Sequence, residues 1–115
     1  MNPKVSVILP VYNAGLFLKA AIESILHQSF KDFELIIIND GSNDESEKII
    51  LDFADPRIRY VRNEKNIGLI ATLNKGIEVS KGEYIARMDQ DDISYLTRLE
   101  KQVDFLDTNI EVAVV

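Results

Sequence analysis

Apolar residues recur along this chain in two alternating rhythms. Lys4 to Val11 (KVSVILPV) is β-branched and apolar at odd and even positions alike, as in a strand buried on both faces of a parallel sheet. Pro10 predicts that this strand stops about there. Asn13 is placed to cap a helix from near Ala14, whose stripe Leu18, Ala21, Ile22, Ile25 and Leu26 has helical spacing. Phe33 to Asn39 (FELIIIN) is a second, nearly all-apolar strand. Asp40-Gly41-Ser42 is a turn, and Ser42 with Glu45 has capping-box spacing before a helix that buries Ile49, Ile50 and Phe53. Asp55-Pro56 ends that helix.

Ile58 to Arg62 alternates like a third strand. A loop, Asn63 to Gly68, leads to a helix carrying Leu69, Leu73 and Ile77 and closing at Lys81-Gly82. Glu83 to Met88 is a fourth strand, running directly into Asp89-Gln90-Asp91-Asp92. A last helix turns Leu96, Leu99, Val103 and Leu106 to the core, and Glu111 to Val115 begins a fifth strand. Strand and helix therefore alternate throughout. Parallel strands need crossovers and helices supply them, so the class is α/β with a mostly parallel sheet.

Composition narrows the partners. The chain has 115 residues, one domain's worth, with 46% hydrophobic and 28% charged residues. A net charge of −6, from 19 acidic against 13 basic residues, argues against a nucleic-acid backbone as partner. An anionic small ligand would need local help from a helix N-terminus, a backbone nest or a metal ion. Cysteine is absent, which removes disulfides and thiolate zinc sites and fits a reducing compartment such as the cytoplasm. No apolar run reaches bilayer length, and Met1 to Lys4 is no signal peptide. The apolar ending Val112 to Val115 suggests a chain cut from something longer.

Ligands of doubly wound sheets sit outside the carboxyl ends of the strands. Three strands here end in polar groups: Tyr12-Asn13, Asp40-Gly41-Ser42 and Asp89-Gln90-Asp91-Asp92. If the strands are parallel, these clusters share one edge. On an extended strand Asp89 and Asp91 would face the same side, about 7 Å apart at roughly 3.4 Å rise per residue. Crowded carboxylates repel, and a hard cation such as Mg²⁺ or Mn²⁺ would relieve that. The plainer alternative is a solvated acidic turn with Asp92 as a helix cap. Asp40 before Gly41 fits ordinary turn chemistry, or an acceptor for a base N–H or ribose hydroxyl. Tyr12 fits packing, or a face for a nucleobase. His27, the lone histidine, lies in the first helix pattern and is read as structural.

Two other functional classes compete. A receiver-type signalling domain would hold Mg²⁺ in an acidic pocket after its first strand, where this chain has Tyr12-Asn13. A Rossmann dinucleotide binder needs G-x-G-x-x-G there, and Pro10 to Gly15 does not supply it.

Three motifs, VSVILPVYN, ELIIINDGSNDES and NIGLIATLNKGIEVSKGEYIARMDQDD, together resemble glycosyltransferase family 2 in order along nearly the whole chain. The resemblance implies the GT-A fold, a Rossmann-like parallel sheet flanked by helices, here truncated. It implies sugar transfer, with inversion, from a nucleotide-diphosphate donor, usually a UDP-sugar, to a hydroxyl of a saccharide or lipid-linked acceptor, as in polysaccharide assembly. Under it, Pro10, Tyr12 and Asn13 match the nucleoside pocket, Asp40 the base-recognising residue and Ser42 the neighbouring turn. Asn66 and Gly68 match the loop closing over the nucleotide. Asp89 and Asp91 match the DXD motif, Asp89 nearer the ribose and Asp91 nearer a Mn²⁺ or Mg²⁺ ion. Residues 1–115 would then be the donor-binding part, without the acceptor-binding part. The sequence departs from the family at Leu73, where many members carry an arginine before the Asn of the third motif. Lys65 or Arg87 is the candidate substitute. Glu100, Asp104 and Asp107 fall in a helix pattern and match no general base, so no catalytic residue is expected within the chain.

Overall fold

A computed structural model describes residues 2–92, 94 and 97–108. Four strands, β1 (Val5–Val11), β2 (Phe33–Asn39), β3 (Ile58–Arg62) and β4 (Tyr84–Arg87), form one sheet in the order β3-β2-β1-β4, every pairing parallel. The helices are α1 (Leu18–Leu26), α2 (Ser46–Leu51), α3 (Leu69–Val79) and α4 (Arg98–Thr108). None of the described helices is long and apolar enough to cross a membrane.

Both faces of the sheet are covered, which is why β1 and β2 are apolar at successive positions. On one face Val7, Leu9, Leu35 and Ile37 pack with the stripe of α1, Ile50 of α2, and Leu99, Val103 and Leu106 of α4. On the other, Ile8, Ile36 and Ile38 form a smaller core with Leu73 and Val79 of α3. The chain runs outward from β1 to β3, then returns through α3 to place β4 on the far side of β1. Such a reversal leaves a crevice at the carboxyl ends, between the loops after β1 and β4.

The third helix differs from its expected stripe. Leu69 and Ile77 are exposed, and the residues of α3 that are buried are Thr72 and Gly76. The reason is proximity to the sheet. A Cβ on Gly76 would stand 2.6 Å from Cγ2 of Ile8 and 3.0 Å from Cδ1 of Ile38, so the helix lies against the strands backbone first.

Both predicted caps are corrected. Asn13 has φ +47° and does not cap α1, which follows a 3-10 turn at Gly15–Phe17. Its side-chain oxygen instead accepts from the Asn43 N–H at 2.9 Å. The Ser42–Glu45 capping box does not form either. Ser42 Oγ accepts from the Asn13 N–H at 3.0 Å, while Asp44 accepts from the Ser46 N–H at 2.9 Å. Asn13 and Ser42 join two loops rather than start two helices. The expected fifth strand and Leu96 lie outside the described residues.

One buried charge lies within β2. Glu34, 6% exposed, accepts from Ser6 Oγ at 2.5 Å, Arg59 Nη1 at 2.8 Å and the Lys81 N–H at 2.7 Å. Burial pushes its pKa up, but these donors outweigh burial and hold it below the ordinary value. Arg59 also donates to the Val79 carbonyl at 2.7 Å, so the cluster pins the end of α3 to the sheet.

Gly76→Ala is expected to lower unfolding stability by about 1–2 kcal/mol, overpacking outweighing the ~1 kcal/mol that alanine gains in helix propensity. Urea unfolding measures this, and an unchanged midpoint would mean that α3 does not rest tightly on Ile8 and Ile38.

Candidate functional site

A cleft of about 390 Å³ opens at the carboxyl edge of the sheet. β1 contributes Pro10 and Val11, followed by Tyr12; Asp40 follows β2; Asn66 and Gly68 come from the loop before α3. The first turn of α3 adds Leu69 and Thr72, and the end of β4 adds Arg87, Asp89, Gln90 and Asp91. The three polar strand ends thus meet around one space.

Not every expected residue lines it. Asn13 and Ser42 are absent from the wall, and the Asn13 N–H donates to Ser42 Oγ. Lys65 is also absent, whereas Arg87 is present. Sequence pattern did not single out Val11, Leu69 or Thr72. Leu69, expected among the apolar residues carried by α3, is half exposed at the cleft. His27 is an exposed residue at the C-terminus of α1, far from any role here.

Asp40 is 4% exposed, and its carboxylate is already engaged. Oδ1 accepts from Asn63 Nδ2 at 2.9 Å and from the Ile67 N–H at 2.8 Å; Oδ2 accepts from the Gly68 N–H at 3.0 Å. Burial alone would push its pKa up. The Ile67 and Gly68 amides, Asn63 and Thr72 outweigh that and hold it below the ordinary aspartate value of 3.8. Asp40 therefore fastens the loop 63–68 against the sheet, just ahead of α3. That role goes beyond the simple turn chemistry of an Asp-Gly pair.

The same loop explains Gly41. At φ +72°, it approaches the loop so closely that a Cβ would lie 2.7 Å from both Asn66 N and Lys65 C. Only glycine suits that conformation and that space.

The acidic segment after β4 is not an extended strand. The Asp92 N–H donates to the Asp89 carbonyl at 3.0 Å, and the Asp89 N–H to Asp92 Oδ2 at 3.1 Å, closing a turn. Asp92 thus caps its own turn, and the two-residue strand spacing expected of Asp89 and Asp91 is replaced by turn geometry. β1 outruns its pairing with β4, which ends at Ile8 opposite Arg87, so the turn folds beside Pro10 to Tyr12. Gln90 Oε1 accepts from the Tyr12 N–H at 2.8 Å and fixes that approach.

Asp89 pairs with Arg87 through Nη2 at 3.1 Å and Nε at 3.2 Å, both on Oδ1. With both side chains half exposed, this pair contributes little stability. Asp91 has no hydrogen bond or ion pair to any described residue. Behind the turn, Arg98 donates to the Arg87 carbonyl at 2.5 Å and to Ser94 Oγ at 3.0 Å. Burial pulls its pKa down, while the charges of Asp92 and Asp89 oppose that.

No group of three His, Cys, Asp or Glu converges among the described residues. Among the described residues, Asp89 and Asp91 are the two cleft carboxylates that could hold a metal. Mg²⁺ commonly binds through one or two carboxylates and completes its shell with water and phosphate, and this donor set fits that habit. The α4 acids lie elsewhere: Glu100 accepts from Ser29 and Asp107 from Tyr84, and neither these nor Asp104 lines the cleft.

Comparisons with known proteins bear on this geometry. Residues 6–115 match the model of the glycosyl transferase family 2. A protein of Bacillus subtilis named putative glycosyltransferase EpsE is 45% identical over 99% of this chain, and the match covers 42% of that relative. An uncharacterised glycosyltransferase of Methanocaldococcus jannaschii is 41% identical over 96% of this chain and 40% of its own. The chain therefore spans about two fifths of these relatives' length. Among solved structures, S. aureus TarS residues 1–349 in complex with UDP-GlcNAc matches with TM-score 0.86 and 26% identity, covering 91% of this chain and 31% of that one. The mannosyltransferase PcManGT of Pyrobaculum calidifontis, in complex with GDP-Man and Mn²⁺, shares the fold at TM-score 0.84 and 22% identity, over 92% of this chain and 33% of its own. The fold is that of the GT-A glycosyltransferases.

Asp40→Asn is expected to cost about 2 kcal/mol at neutral pH, since hydrogen bonds to a charged acceptor are the stronger kind. Because the folded pKa is depressed, the carboxylate's contribution is present above the unfolded value, about 3.9, and is lost as pH falls through the folded one. The gap between the two proteins in urea unfolding should therefore shrink on acidification. A gap that stays constant would show that the charge itself contributes nothing.

Proposed function

The chain belongs to glycosyltransferase family 2, and we propose that its cleft binds a UDP-sugar as the donor site of a metal-assisted, inverting sugar transfer. The observation that carries this reading is the convergence of Tyr12, Asp40, Asp89 and Asp91, from the ends of three parallel strands, on one space. The resemblance to TarS, whose structure holds UDP-GlcNAc, supports the choice of uridine.

Each residue then has a role that its position suits. Tyr12, 46% exposed at the cleft wall, offers a ring on which the base stacks. Pro10 shapes the wall beside it, and Asn13 and Ser42 hold the loop behind. Asp40 forms the floor and fixes the loop from which Asn66 and Gly68 close over the nucleoside. Asp89, turned by Arg87, faces the ribose, and Asp91 holds a Mn²⁺ or Mg²⁺ ion with help from Asp89. A divalent ion there would supply Lewis-acid stabilisation of the charge that grows on the departing diphosphate. Arg87 is the cation that stands in for the arginine missing at Leu73, because it lines the cleft where Lys65 does not.

The acceptor, a saccharide or a lipid-linked hydroxyl in polysaccharide assembly, needs a base to take its proton. The acids of α4 stand away from the cleft. The role we assign to this chain is therefore donor binding, with the base and acceptor contacts supplied from outside residues 1–115.

Calorimetric titration with UDP is the test. Binding should tighten at least about tenfold with Mn²⁺, a coupling of roughly 1.4 kcal/mol. Asp91→Ala should abolish the metal effect while leaving metal-free affinity nearly unchanged. Equal affinity with and without Mn²⁺ would remove the metal from the proposal, and absence of UDP binding would remove the donor site.

A further inference from the structure

Behind the cleft wall lie two polar residues, Asn63 and Lys75, that the donor reading does not use. Asn63, 3% exposed, follows β3, and its own N–H continues the strand ladder to the Asn39 carbonyl at 2.9 Å. Lys75 Nζ, from α3, donates to Asn63 Oδ1 at 2.6 Å. Asn63 Nδ2 donates to Asp40 Oδ1 at 2.9 Å and reaches Thr72 Oγ1 at 3.3 Å. The amide's orientation follows from its partners' chemistry. An ammonium only donates and an ionised carboxylate only accepts, so oxygen must face Lys75 and nitrogen must face Asp40.

We propose that Asn63 is a positioning residue of the donor site. Its carboxamide, gripped by Lys75, aims the Asp40 carboxylate at the Ile67 and Gly68 amides and so holds the loop 63–68 in its binding arrangement. This assignment rests on the donor reading for its effect on ligand, though not for its effect on the loop. Asn63 does not line the cleft and acts through Asp40 and Thr72, which do.

Three features argue for this over simple packing. Lys75 and Asp40 carry opposite charges and meet on one neutral amide, whose hydrogen bonds are thereby both charge-assisted and mutually polarising. The amide bonds one oxygen of Asp40, the one that also takes the Ile67 N–H, leaving Oδ2 to the Gly68 N–H. Two loop amides are thus registered by one carboxylate whose rotation Asn63 restrains. Finally, neither leucine nor aspartate substitutes for the amide. An apolar side chain lacks both bonds, and a carboxylate sets like charges face to face while keeping the Lys75 contact.

Asn63→Asp separates positioning from packing, since it preserves shape. At about pH 8 its affinity for UDP with Mn²⁺ should be roughly tenfold below wild type, one pKa unit of repulsion being worth a factor of ten. As the pH falls, one of the facing carboxyl groups takes a proton and can donate to the other, so the variant-to-wild-type ratio should rise. Hydrogen exchange at the Ile67 and Gly68 amides gives a readout that needs no ligand, and should be roughly tenfold faster in the variant at pH 8. A ratio flat across pH, or unchanged exchange at those amides, overturns the proposal. Accelerated exchange with no UDP binding even by wild type leaves the relay standing and defeats the donor reading instead. Should Asn63→Asp not fold, Lys75→Met decides. Faster exchange at those two amides with unchanged melting supports the relay, and unchanged exchange overturns it.

Discussion

A carboxylate taken out of water must find donors or give up its charge, and Asp40 meets that demand at the centre of this structure. Its donors come from a loop distant in sequence, so satisfying the charge also fixes the loop, the start of α3 and one wall of the cleft. An acidic chain has few cations for the task. Backbone amides and one asparagine serve instead, and amides leave no side chain to crowd the ligand space. Gly41 makes this possible by letting the loop lie directly against the turn after β2.

The acids at the sheet edge differ in how far the protein itself satisfies them. Asp40 is engaged on both oxygens, Asp89 on one by Arg87, and Asp91 by no described residue. Satisfaction therefore falls from the floor of the cleft to its rim. Groups satisfied internally define shape, and groups left open define what a ligand or ion can gain by arriving. The ordering also separates residues whose loss should unfold the site from residues whose loss should empty it.

Patterning in the sequence carried the architecture well because burial on both faces of a parallel sheet leaves little freedom. β2 and β3 begin and end where alternation and apolar runs put them, and the α1 stripe is buried throughout. It failed where a polar residue had two local options. Asn13 and Ser42 have cap-like spacing, but their side chains bond partners about thirty residues away, and no local rule sees a bond between loops. In α3 only part of the expected set turns inward: Leu73 packs on the sheet, while Gly76 brings backbone against it and Leu69 and Ile77 stay exposed. Glu34 was hidden within an apolar run because its donors, Ser6, Arg59 and Lys81, come from three other segments.

The cleft was foreseeable in outline and not in construction. Parallel strands guaranteed a shared edge for Tyr12, Asp40 and Asp89, since carboxyl ends of parallel strands cannot do otherwise. The acidic turn's placement depends on less visible facts: β4 is shorter than β1, and Gln90 reaches the Tyr12 amide across the gap. That bond is what brings the rim aspartates over the end of β1 instead of along the line of β4. An acidic segment read as a set of carboxylates is therefore held in place by its one uncharged member, Gln90.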